Sequence, residues 1–187
     1  LRGEALRRLE YAYMALQTFD EAIEIDPSLA EYAFPSRWLA ALRLGEGRRL
    51  LDLSNEYATN HPDDPMRHYY RGWARLQMES PRVAIDLLIE GIEESGEQPN
   101  ALLWYALGKA YLAEDAGPQA VTSLETARTL VELGDPTLSY HTDQPIADLF
   151  GALGQAYLQV ERCIDAETML QYALSVGAEE ETYAPVL

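Results

Sequence analysis

The sequence predicts an all-α protein: about five antiparallel helix hairpins stacked in one array over residues 1–187. Three observations lead there. Trp104, Leu107, Gly108 and Tyr111 recur at +3, +4 and +7, which is the apolar stripe of one helix face. Ala120, Leu124 and Ala127 do the same after Gly117-Pro118, a pair that breaks a helix, so two helices fold back on each other. The arrangement then repeats. From a small residue, Ala stands at +12, a large apolar residue at +16 and a small one at +19, in the sets begun by Gly3, Gly72, Gly108 and Gly154. Glycine and alanine at the facing positions let two backbones approach closely.

Taken in order, ten helical segments are expected. The first unit, 1–27, opens five residues into a hairpin, with Gly3 on a truncated first helix and Ala15, Phe19 and Ala22 on the second. The second, 28–62, is degenerate: Trp38 stands where a small residue is expected, followed by Leu50, Ser54 and Tyr57. Pro35 places the start of its first helix near Ser36, and Gly45 and Gly47 mark its turn. The third, 63–98, carries Gly72, Ala84, Leu88 and Gly91. Its Arg67, Arg71 and Arg75 form a basic stripe. That stripe either pairs with acids of neighbouring helices or seats a partner's carboxylate or phosphate.

The fourth unit, 99–144, is built on Gly108 and ends in the longest insertion, 133–144. Thr142 or Asp143 is placed to cap the next helix, with Pro145 in its first turn. Such a loop either adds a docking element or is a tolerated surface insertion. The fifth unit, 145–178, carries Gly154, Ala166, Leu170 and Ala173, and 179–187 is an acidic tail or the start of a further helix. Prolines 27, 62, 99 and 136 punctuate the array at intervals of 35, 37 and 37. Both ends are expected to cut through a first helix, as in a segment of a longer array or a domain without its neighbours.

Apolar residues make up 48% of the chain, enough for a core that stacking can bury. The net charge of −17 is concentrated after residue 50, where 23 acids face 7 basic groups. Such a surface repels nucleic acid and anionic membrane and favours basic partners or plain solubility. No apolar run approaches the roughly 20 residues of a membrane span, and no secretory signal is visible, so a cytoplasmic location is expected. The lone Cys163 rules out an internal disulfide and a cysteine metal cluster.

No catalytic residue, metal site or cofactor is expected, and the chain does not read as an enzyme. His61 belongs to an inter-unit turn whose Asp and Pro cap the next helix, His68 to a helix surface, and His141 to the long loop. None has a partner nucleophile in a recognisable arrangement. Cys163 opens a helix, where a lowered pKa and an incidental thiol are both open readings. Phosphate-loop, zinc, dinucleotide and calcium-loop patterns are absent from the sequence.

The stretch from Trp104 resembles the tetratricopeptide repeat (TPR) family. The motif W-x2-L-G-x2-Y is present as Trp104, Leu107, Gly108 and Tyr111, and A-x3-F as Ala120 and Leu124, with Leu for Phe. Tyr69-Tyr70-Arg71-Gly72 is similar to a variant of it, while Arg75 departs from the Tyr111 and Tyr157 of later units. The resemblance implies a right-handed α-solenoid whose first helices line a concave groove. The groove residues it implies are Met66, Tyr69, Trp73 and Leu76, then Leu102, Tyr105, Lys109 and Leu112, then Asp148, Gly151, Gln155 and Leu158.

Tyr69, Trp73 and Tyr105 are expected to make a partly exposed aromatic patch there, or else to pack between adjacent first helices. The implied function is a protein-interaction scaffold holding a protein or peptide with an apolar anchor and basic residues, with no nucleic acid and no membrane. A regulatory or sensor segment of a larger enzyme or signalling protein, or a self-association module forming homo-oligomers, are the alternatives. A clamp for acidic chaperone tails is not implied, since Lys109 alone supplies the positive charge such a clamp needs.

Overall fold

Proline, glycine and the capping side chain of Asn100 mark several of the helix boundaries. The computed structural model describes residues 2–96, 100–140 and 144–177, with side chains from Tyr11 onward. Among them are nine α-helices: α1 (Arg2–Ile25), α2 (Leu29–Leu44), α3 (Gly47–Asn60), α4 (Met66–Gln77), α5 (Pro81–Ser95), α6 (Ala101–Ala113), α7 (Gly117–Glu132), α8 (Pro145–Gln159) and α9 (Cys163–Ser175). A 3-10 turn, Thr137–Tyr140, precedes α8. Proline opens α5 and α8, where its missing N–H has no helical partner to lose. Successive helices pack against each other down the chain, and α4, α6 and α8 also touch side by side. The fold is a helical-repeat solenoid.

The hairpin turns share one geometry. Glu79, Asp115 and Glu161 lie in the left-handed region at φ 53°, 54° and 60°. The amide of the next residue then returns to a carbonyl five positions back: Ser80 to Arg75 at 3.0 Å, Ala116 to Tyr111 at 2.9 Å, Arg162 to Tyr157 at 2.8 Å. Gly45, at φ 65°, holds the same place between α2 and α3, where glycine adopts it without steric cost.

The spacing of sixteen is the core of each later hairpin. Gly72 faces Leu88, Gly108 faces Leu124 and Gly154 faces Leu170. The three leucines are fully buried, each contributing about 1.5–3 kcal/mol by leaving water. Ala84, Ala120 and Ala166, at the +12 positions, are buried as well.

The N-terminal third departs from the sequence expectation twice. Residues 2–25 form one uninterrupted helix, not a truncated first helix and a second. Between Gly3 and Asp26 there is no proline, glycine or turn cluster to break it. The first helix of the second unit begins at Leu29, not near Ser36, and Pro35 lies inside it. Pro35 is exposed while Phe34 and Trp38 beside it are buried, so packing of the inner face outweighs the lost hydrogen bond. Trp38 packs towards α4, with ring centroids 6.2 Å from Tyr69 and 4.7 Å from Tyr70, and α2 and α3 meet along much less of their length than the later hairpins do. Arg37 ties this region together: its guanidinium donates to Glu56 at 2.8 Å and lies 3.5 Å from Asp20, which also pairs with Arg49.

The insertion is a helix cap. The Asp135 carboxylate accepts the amide of Ala101 at 2.8 Å, Thr137 Oγ1 accepts that of Leu102 at 3.2 Å, and Asn100 accepts that of Leu103 at 3.0 Å. Three amides at the start of α6 are thus satisfied, two of them from about 35 residues away. Leu138 is buried beside them. His141, Thr142 and Asp143, with the cap expected of the last two, lie outside the described residues, as does 178–187.

Candidate functional site

Because α4, α6 and α8 lie side by side in one register, equivalent residues form rows across them. Counting from Gly72, Gly108 and Gly154, the next residue gives the row Trp73, Lys109, Gln155. Three further on comes Leu76, Leu112, Leu158, and then Gln77, Ala113, Gln159. These nine side chains line an open groove with a volume of about 530 Å³. The leucine row is half-buried, so it offers apolar surface without collapsing into the core. Glutamine amides flank it on both sides, and the Gln159 amide donates to the Leu112 carbonyl at 3.0 Å. Burial in the groove lowers the pKa of Lys109, and the Asp148 carboxylate of α8 partly offsets that.

Of the residues singled out in the sequence, Trp73, Leu76, Lys109, Leu112, Gln155 and Leu158 line this groove. The exposed aromatic patch does not exist as expected. Tyr69, Trp73 and Tyr105 are contiguous, with Tyr69 and Trp73 centroids 6.1 Å apart and Trp73 stacked on Tyr105 at 5.8 Å and 17°. Yet they are only 0%, 6% and 3% exposed. They fill the seam between neighbouring first helices, and only an edge of Trp73 reaches the groove. Leu102 is buried in the same way, and so is Gly151. Met66 lines a different cavity. Sequence reasoning missed Gln77, Ala113 and Gln159, although they stand one residue beyond the leucine row and share its period.

Other chemically capable groups are placed as follows. His68 is buried, not on a helix surface, with Nε2 3.1 Å and Nδ1 3.6 Å from the carboxylates of Glu94 and Glu90 on α5. Arg67 pairs with the same Glu94 at 2.7 Å, which makes that end of the stripe a link between α4 and α5. Cys163 is exposed at the first residue of α9. Among the described residues, no three His, Cys, Asp or Glu side chains cluster as metal ligands, and no helix is long and apolar enough to cross a membrane.

No protein-family model matches the sequence, and no curated protein matches it. A solved structure described as "MamA RS-1 ArsTM double mutant" superposes with a TM-score of 0.56 over 94% of this chain and 91% of that one, at 17% identity. The chain has a TPR-like helical-repeat fold. The resemblance carried by Trp104, Leu107, Gly108 and Tyr111 therefore extends to the architecture, with a likeness that concerns the fold alone.

Proposed function

We propose that the chain is a protein-interaction module that holds an extended segment of a partner along α4, α6 and α8. The observation that carries this reading is the half-buried leucine row, Leu76, Leu112 and Leu158, at the bottom of an open groove. An apolar side chain of the partner covers that row and gains burial energy. Gln77 and Gln155 reach the amides and carbonyls of an extended backbone. Lys109, already partly stripped of water, meets an acceptor there, while basic residues of the partner face the acidic surroundings of a chain of net charge −17. On this reading the groove binds and does no covalent chemistry.

Random-peptide display against the purified chain tests it. The selected peptides should carry an apolar anchor with basic neighbours, and amide shifts on titration should map to α4, α6 and α8. Selected peptides whose shifts map elsewhere would rule the groove out.

One observation favours self-association as a second reading. Tyr11, Met14 and Ile25 of α1 and Tyr32 of α2 are 55–89% exposed, more apolar surface than the later helices show. Light scattering over a concentration series should then show a rising mass that is lost on Tyr11→Ser/Met14→Ser, and a constant mass would dismiss it.

A further inference from the structure

A second cavity, of about 390 Å³, lies between the first half of α2, the end of α3, the start of α4 and the 3-10 turn. Its floor is aromatic. Phe34 packs on Tyr57 and on Tyr70 with centroids 4.9 Å apart in each case, and Tyr57 lies 4.5 Å from Tyr70. Tyr140, 61% exposed, stands on its rim.

Three of its other lining residues, Glu31, Glu56 and Asp64, are acidic, beside Pro35, Asn60, His61 and Met66. Asp64 accepts from the Tyr57 hydroxyl at 2.5 Å and from the Met66 amide at 2.9 Å. Glu56 accepts from Arg37, which does not line the cavity. Among the described residues Glu31 pairs with His61 alone, at 3.9 Å, and its side chain is 77% exposed. Arg67 donates to the Asp64 carbonyl at 3.0 Å and, like Arg37, does not line the cavity, so the lining itself carries three carboxylates and no guanidinium, with aromatic faces beside the charge. Both features attract a cation.

We propose that this cavity binds the guanidinium of an arginine in a basic segment of a partner protein. The rings pack against each other at interplanar angles of 40°, 57° and 84°, so they form a closed, tilted cluster and not a separated cage, and a flat cation stacks on a single ring face. Guanidinium is weakly hydrated and offers a planar fork to a carboxylate, here that of Glu31, whereas an ammonium is compact and strongly hydrated. The chain makes a contact of this kind internally, with Arg162 Cζ over the Tyr157 ring, 4.3 Å from its centroid. The cavity shares no lining residue with the groove, so its occupancy is tested independently of peptide binding there.

The test is a titration of the full chain with N-acetyl-arginine-methylamide, followed by the ring and amide resonances of Phe34, Tyr57 and Tyr70. The citrulline analogue, of the same shape but neutral, and the lysine analogue serve as comparisons. Saturable shifts at the cavity are expected, with the arginine probe binding about fivefold or more tightly than the citrulline one, and more tightly than the lysine one. Tyr140→Ala and Glu31→Gln both change exposed side chains, and each should weaken arginine binding about threefold or more while the rest of the spectrum is unchanged. Equal affinities for arginine and citrulline, a preference for lysine, or undiminished binding by both variants would overturn the assignment.

Discussion

A Cβ on Gly108 would fall onto Cγ of Leu124, sixteen residues on in the facing helix. At Gly154 it would lie 2.5 Å from Cγ of Leu170, and at Gly72 2.8 Å from Cγ of Leu88. Real side-chain carbons do not approach so closely, and the leucines are fully buried. Gly108→Ala and Gly154→Ala should therefore each destabilise by about 1–3 kcal/mol in urea titration. Gly108→Ala/Leu124→Val, which removes a methylene from the clash, should lose less than the two single changes together. A parental midpoint for Gly108→Ala would show that α6 and α7 do not meet there.

Asp135 makes a different kind of prediction, because it caps a helix from another part of the chain. Asp135→Ala leaves the Ala101 and Thr137 amides, now 2.8 and 2.7 Å from its carboxylate, without that acceptor. The expected loss is about 0.5–2 kcal/mol, with hydrogen exchange at the start of α6 accelerating most. Unchanged exchange at Ala101 to Leu103 would contradict the cap.

The aromatic floor of the second cavity sets an alkaline limit on stability. Burial, with Asp64 and Tyr140 adding to it, pushes the Tyr70 phenol up to about 12. Burial raises Tyr57 and Tyr69 too. The folded chain then keeps protons that the unfolded chain gives up above about pH 10. This stabilisation is complete below about pH 10 and is lost as pH climbs from there towards 12. Tyr70→Phe cannot ionise. Its melting temperature relative to wild type should rise between about pH 8 and pH 11. An identical difference at both would contradict a buried, neutral Tyr70.

The hairpins from Gly72 onward were legible because their signal is local and periodic: a glycine, and a leucine sixteen residues later. The groove was half legible for the same reason, since Leu76, Leu112 and Leu158 repeat in register. The rest depended on contacts that periodicity does not encode. Tyr69, Trp73 and Tyr105 share a helix face with the groove residues, and the approach of α6 and of Trp38 on α2 to α4 decides that they are buried. The capping by Asp135 and Thr137 joins groups 34 and 35 residues apart. In α1 the spacing misled: Gly3, Ala15, Phe19 and Ala22 fit the pattern, but no breaker stands between them, and an unbroken helix resulted. His68 was misplaced because its neighbours, Glu90 and Glu94, come from α5.

Leu112 is the middle of the leucine row and half-exposed, so Leu112→Gln alters the groove with little cost to the core. The most direct test of the binding account is the affinity of one display-selected peptide for wild type and for Leu112→Gln, with circular dichroism confirming that the helices are retained. The account predicts about tenfold weaker binding or more, expressed in the dissociation rate, because an anchor residue loses its apolar seat. Equal affinity for the two proteins would contradict it.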